Sequence, residues 1–280
     1  MIPAILLLTI FAALPAASQN YAELGAMSGT GLFFMPTSSS SPNAQFRIDG
    51  SRLGLFEHGG RGVNLVSISS GLSRNVEAYL KFTNEQSGFA QSTVAMNVGG
   101  KFTVPVLLPV IKLVSLWGEF ATSQSEDHSQ LYPFKYSRSA LIITPFTDVV
   151  RPSLLIGAAK PQDSGGDLMT GACLVLSPGH MTQFGLEYLH GYAGRGSDDV
   201  TLNGNVRLFS NISLHAGPGY VSRPAVSGWI WTIGLSLSSS DVDFHPVIVE
   251  QKNEYKLPSI EEIEKGTSGD KKDSNGENKQ

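Results

Sequence analysis

Six side chains carry the charges best placed for electrostatic work inside a hollow structure: Glu77, Lys81, Lys101, Glu119, Glu187 and Arg207. Each sits on the polar parity of a stretch in which apolar and polar residues alternate. All six would therefore project to one side of a pleated sheet. Both signs are present. Carboxylates and cations on a common inner surface can pair and pack an interior, or they can line a narrow selective path for a solute. They are read as lumen-lining residues, with both outcomes left open.

Other chemistry finds little support. The six histidines (His58, His128, His180, His190, His215 and His245) include no pair at metal-ligand spacing. A single cysteine, Cys173, excludes an intrachain disulfide and a cysteine-rich metal site. Nucleophile elbows, zinc-protease helices and phosphate-cradling glycine loops do not occur. Ser125-Glu126-Asp127-His128 contains triad residue types, but consecutive residues cannot adopt triad geometry, so the run reads as solvated loop. Asp163, Asp167, Asp198 and Asp199 could gather around a divalent cation, although a plain acidic surface suits them better. No enzymatic activity, catalytic residue, metal or cofactor is expected. A net charge of −4 argues against the basic surface that a nucleic-acid partner requires.

The elements that would hold the six charges are strands. From Phe46 to Leu237 the chain reads as about twelve short stretches of alternating hydrophobicity. One sets Val76, Ala78, Leu80 and Phe82 against Glu77, Tyr79, Lys81 and Thr83. Another sets Phe184, Leu186 and Tyr188 against Gln183, Gly185 and Glu187, and a third sets Val200, Leu202, Val206 and Leu208 against Thr201, Asn203, Asn205 and Arg207. Trp117 falls on the inward parity of strand five. Arg52 falls on the apolar parity of strand one, where a bulge would reconcile it, and strand six is apolar on both faces at Leu141, Ile142 and Ile143.

Connections alternate between compact ones, such as SRN and FSN, and longer polar ones, such as NEQSGFAQS, HGYAGRGSDD and SRPAVSG. Phe82, Phe120, Tyr188, Tyr220 and Trp229 gather beside the longer set, as an interfacial aromatic girdle would. With 16% charged residues and 30 glycines, the composition suits tight turns and a polar, small-residue interior. The expected fold is all-β, an up-and-down antiparallel transmembrane β-barrel of about 12 strands.

Residues 1–18 read as a signal peptide, with Ala16 and Ser18 at the −3 and −1 sites of a cut before Gln19. Residues 19–45 read as a periplasmic lead-in, with Gly29 to Thr37 as one ordered piece. Residues 46–244 form the barrel. Residues 245–280 are charged and poor in large apolar side chains, a mostly disordered tail with room for a helical turn or two at Ile260 to Lys265.

The segment G-T-G-L-F-F-M-P-T, Gly29 to Thr37, is followed by F-R-I-D-G at Phe46 to Gly50. Together they resemble the N-terminal signature of YjbH-like outer-membrane proteins, and L-S-R-N-V-E-A-Y-L-K-F at Leu72 to Phe82 resembles that family's turn-then-strand hairpin. The likeness implies an outer-membrane barrel associated with exopolysaccharide production and secretion. The chain departs from many such proteins in having no lipidation cysteine and a single barrel's worth of strands.

The reading is thus a non-enzymatic outer-membrane barrel of a Gram-negative-type cell, a narrow pore or scaffold linked to envelope polysaccharide export. Its expected partners are outer-membrane lipid, the barrel-assembly machinery and a polysaccharide or small solute. The alternative is a secreted soluble β-sandwich, an adhesin or binding module, whose apolar faces meet in a core.

Overall fold

A strand with one apolar and one polar face must bury one of them, and a sheet with edges leaves backbone groups unpaired. Closing one sheet on itself answers the second problem. In the computed structural model twelve strands follow one another: β1 (Phe46–Leu55), β2 (Arg61–Ser73), β3 (Val76–Ser87), β4 (Thr93–Pro105), β5 (Leu113–Ser123), β6 (Tyr136–Thr144), β7 (Val150–Pro161), β8 (Asp167–Leu176), β9 (Thr182–His190), β10 (Asp198–Phe209), β11 (Ile212–Arg223) and β12 (Val226–Ser238). The structure describes residues 34–37, 45–56, 61–73, 75–87, 93–106, 108, 110–123, 136–145, 149–161, 166–224 and 226–239. The expected leader, the Ser125–His128 run and the C-terminal tail lie outside them.

Each strand pairs antiparallel with its sequence neighbours. The seam between β1 and β12, from Arg47↔Ser238 to Leu55↔Ile230, closes the barrel. This is the up-and-down barrel expected from the alternation, and it rules out two stacked sheets. Strands of 9 to 13 residues match what a tilted strand needs to cross a bilayer, about 9–11 residues.

The apolar parity faces outward. Val66, Phe82, Val98, Leu116, Phe120, Leu154, Ile156, Leu174, Leu186, Leu202, Ile233 and Leu235 are between 41% and 58% exposed around the wall. So continuous an apolar belt is solvated by hydrocarbon in a membrane barrel, whereas a soluble monomer keeps such patches small. Tyr188, Tyr220 and Trp229 are also outward, and Tyr220 and Trp229 meet edge-on at 5.5 Å between ring centroids.

Four expectations need correction. The rims differ less in connection length than the sequence suggests, because Arg223 pairs with Val226 and only residues 224–225 separate β11 from β12. Within the expected loop SRPAVSG, most residues continue the two strands. β1 keeps a continuous register with both neighbours, so no bulge turns Arg52 inward and it stays on the outer face. The interior is not uniformly small and polar: Leu53, Leu65, Tyr79, Trp117, Ile142, Leu155, Met169, Val175 and Leu189 are buried in it. Ile142 pairs with Leu155 across β6 and β7, which explains why strand six is apolar on both faces. Finally, residues 34–37 of the expected periplasmic lead-in lie within the barrel, where Phe34 and Met35 are fully buried.

An outward apolar wall makes a depth-dependent prediction. Leu202→Arg, mid-strand on β10, should cost about 2–4 kcal/mol, and Leu208→Arg, at the strand's end, about 0–1 kcal/mol. Equilibrium denaturant unfolding in lipid vesicles measures both.

Candidate functional site

The inward parity converges on a filled lumen built around three carboxylates. The first is Glu119 on β5. Its Oε2 accepts from Lys81 Nζ at 2.6 Å and Tyr79 OH at 2.9 Å, and its Oε1 accepts from Asn97 Nδ2 at 3.0 Å and Arg138 Nη1 at 2.9 Å. Trp117 Nε1 donates in turn to the Tyr79 oxygen at 2.8 Å, which gives this inward tryptophan its polar partner. Two cations on one anion, with each carboxylate oxygen accepting two hydrogen bonds, make this buried cluster tolerable without water.

The second is Glu187 on β9. It accepts the backbone N–H of Phe34 at 3.0 and 3.1 Å through its two oxygens, and that of Met35 at 2.8 Å. Thr201 also donates to Glu187, and Asn203 Nδ2 donates to the Thr201 hydroxyl at 2.8 Å. Further along the segment, the Thr37 carbonyl accepts from Lys101 Nζ at 2.8 Å, while Lys101 lies 3.8 Å from Glu77. A single extended piece of chain is therefore held at one end by an acceptor and at the other by a donor.

The third is Asp199 on β10, which takes a two-pronged grip from Arg223 at 2.9 and 2.8 Å. The Arg223 guanidinium lies 5.4 Å from the centre of the Phe34 ring. Phe34 in turn meets Tyr192 at 5.9 Å. Arg138 stacks over Tyr192 at 4.2 Å and donates to its carbonyl through Nε at 3.0 Å. A continuous line thus crosses the lumen: Glu119, Arg138, Tyr192, Phe34, Arg223, Asp199.

Tyr192 reaches this line because residues 191–197, expected as an external polar loop, fold inward. Gly191 N–H donates to the Ser197 carbonyl at 2.8 Å and Tyr136 OH to the Ala193 carbonyl at 2.8 Å. The tight turn requires left-handed backbone at Gly191 (φ 73°) and Gly194 (φ 103°), which glycine adopts at little cost.

Of the six charges singled out by sequence, Lys81 and Glu119 form one cluster, Glu77 and Lys101 a second, and Glu187 holds the entering segment. Arg207 lies at the end of β10, half-buried, on the inward parity. Sequence reading missed Arg47, Asp49, Arg138, Arg151 and Arg223, all buried, and took the buried Asp199 for a surface carboxylate. Parity would have placed Arg47 and Asp49 inward, opposite Phe46 and Ile48. Arg223 was hidden because SRPAVSG reads as loop, and Arg138 because strand six, apolar on both faces, shows no polar parity. Asp199 is committed to Arg223, whereas Asp198 faces outward and accepts from Tyr188 OH at 2.7 Å, beside His190 at 2.9 Å, so the two do not converge on a cation site. Asp163 lies outside the described residues. Below these clusters Arg47 pairs with Asp49 at 3.0 Å, Ser67 and Ser236 donate to the same carboxylate, and His215 is buried nearby.

A single closed sheet with an apolar outside and an ion-paired, occupied inside defines an outer-membrane-type β-barrel. Solved structures share that architecture. The chain is similar to "KdgM porin" (12% identity, TM-score 0.53, covering 68% of this chain and 98% of that one). It is also similar to "KdgM porin in complex with disordered oligogalacturonate" (13% identity, TM-score 0.51, covering 68% and 98%). At such identity the likeness concerns the fold. No family model and no curated protein matches the chain.

The Glu119 cluster yields an ordered prediction. Glu119→Gln leaves Lys81 and Arg138 facing each other without their anion and should destabilise by about 3–5 kcal/mol. Lys81→Met, which leaves Glu119 paired with Arg138, should cost less. Denaturant unfolding of the two variants in the same vesicles tests the order.

Proposed function

We propose that this protein is a non-enzymatic outer-membrane barrel that serves envelope polysaccharide export as a self-stoppered conduit. Residues 34–37 are its stopper. The observation that carries the reading is the grip on that segment: Glu187 takes two consecutive N–H groups and Lys101 takes the Thr37 carbonyl. These bonds engage only the backbone of a strand-like piece, so they can be exchanged for those of another extended polar chain. The outward apolar belt supports residence in the outer membrane, reached after removal of residues 1–18 and insertion by the barrel-assembly machinery.

The family resemblance gains weight from position. The G-T-G-L-F-F-M-P-T element that carries it ends in the four residues held inside the barrel. A KdgM porin has been captured with an oligogalacturonate, which supports a saccharide chain as the cargo class.

The test combines conductance with chemical access. Cys173 is the cross-strand neighbour of Glu187 and is buried at the lumen face. Wild-type protein in planar bilayers should be largely silent, with Cys173 slow toward a small maleimide. Glu187→Ala combined with Lys101→Ala should give discrete conductance steps and fast labelling. Steady large conductance from the wild type would indicate an open pore, and silence with protected Cys173 in the double variant would indicate a solid scaffold. Mass measurement of the exported protein should give an N-terminus at Gln19.

A further inference from the structure

We propose that the outer wall of β1, β2, β3 and β12 carries a binding site for the headgroup of a phosphorylated glycolipid, centred on Arg52. Arg52 occupies an outward position, exposed, in a belt otherwise made of apolar side chains. It makes no hydrogen bond or ion pair among the described residues, and no described outward position of β1, β2, β3 or β12 holds a carboxylate. A cation on a lipid-facing wall is unfavourable unless it reaches the interface and meets an anion there.

The geometry shows where it reaches. A side-chain carbon added at Gly62 would lie 3.7 Å from Arg52 Nε and Nη2, so the guanidinium runs along the wall to the level of Gly62. Gly62 pairs with Gly54, two residues nearer the loop rim than Arg52. The Trp231 indole lies over Gly54, where an added carbon would come 2.5 Å from its Cε2. Gly54 and Gly62 are buried beneath the indole and the guanidinium, and their missing side chains let both groups lie flat along the outer wall. A side chain at Gly54 would push the indole off the wall.

Polar groups extend sideways from Arg52. Asn64 is the cross-strand partner of Arg52, Asn84 is the partner of Asn64, and Gln86 is the partner of Gly62. Asn64 is half-buried and Gln86 is exposed, so their amides are open to sugar hydroxyls. Arg52 and Asn84 are two strand spacings apart, about 10 Å, a span that a disaccharide covers. The guanidinium suits a phosphate, which it can bind in a bidentate fashion. The amide row suits the sugar, and the surrounding apolar belt suits the acyl chains. The site is independent of the stopper, so lipid retention reports on it whether or not the lumen opens.

Native mass spectrometry of the detergent-folded full chain tests this, with bis-phosphorylated lipid A as the probe. Wild-type protein should retain one lipid A, and Arg52→Gln should weaken retention by about tenfold, as expected for loss of one charge-assisted contact. Asn64→Leu should weaken it as well, and dephosphorylated lipid A should not be retained. Heat-modifiable gel migration shows that each variant is folded. Retention by Arg52→Gln equal to the wild type would overturn the site. Displacement by millimolar inorganic phosphate would assign Arg52 to a free anion instead, and equal retention of phosphatidylglycerol would refute the sugar component.

Discussion

The structure depends on one constraint, that the polar groups of a water-poor lumen must satisfy one another. Lys81, Glu119, Glu77, Glu187 and Asp199 are buried to within a few per cent. A charge in that setting is tolerated only with an opposite charge and further hydrogen bonds. Glu119 shows how completely this is met, with four donors on two oxygens. Because the donors come from β3, β4 and β6, the cluster also ties those strands and β5 into one register.

The same constraint explains why the chain brings its own segment inside. Glu187 on one side of the lumen and Lys101 on the other gain further hydrogen bonds from the backbone of residues 34–37, beyond those to Thr201 and the ion pair with Glu77. Arg223 and Arg138 reach past their carboxylates to the aromatic faces of Phe34 and Tyr192. The loop at residues 191–197 and the segment at residues 34–37 therefore stabilise each other, through contact between the two rings. The apolar layer that includes Trp117, Ile142 and Leu155 fits this picture, since a lumen already closed to water can be packed as a core is.

The outer wall obeys the opposite rule. Its side chains meet hydrocarbon, where a lone charge is the exception that calls for a partner. That contrast makes Arg52 conspicuous, whereas five of the six charges first noticed in the sequence prove to be ordinary members of a balanced interior. On the reading proposed here, the inside of the barrel holds its own chain until another extended polymer replaces it, and the outside recognises the lipid in which it sits.

Much of this was legible in the residue order. Period-two alternation, as at Val76 to Thr83 and Gln183 to Tyr188, determines which face meets lipid because consecutive side chains in a strand point to opposite sides. It also determined that Glu77, Lys81, Lys101, Glu119 and Glu187 share the inner surface. It did not reveal which charges meet, because Lys81 and Glu119 are neighbours only through the pairing of β3 with β4 and β4 with β5. Nor did it reveal that Arg223 belongs to a strand, since polar residues near a rim look alike in loop and strand. The fate of residues 34–37 was beyond sequence reading altogether. Four residues that include Pro36 have no period of their own, and their place is decided by Glu187 and Lys101, more than sixty residues away in the chain.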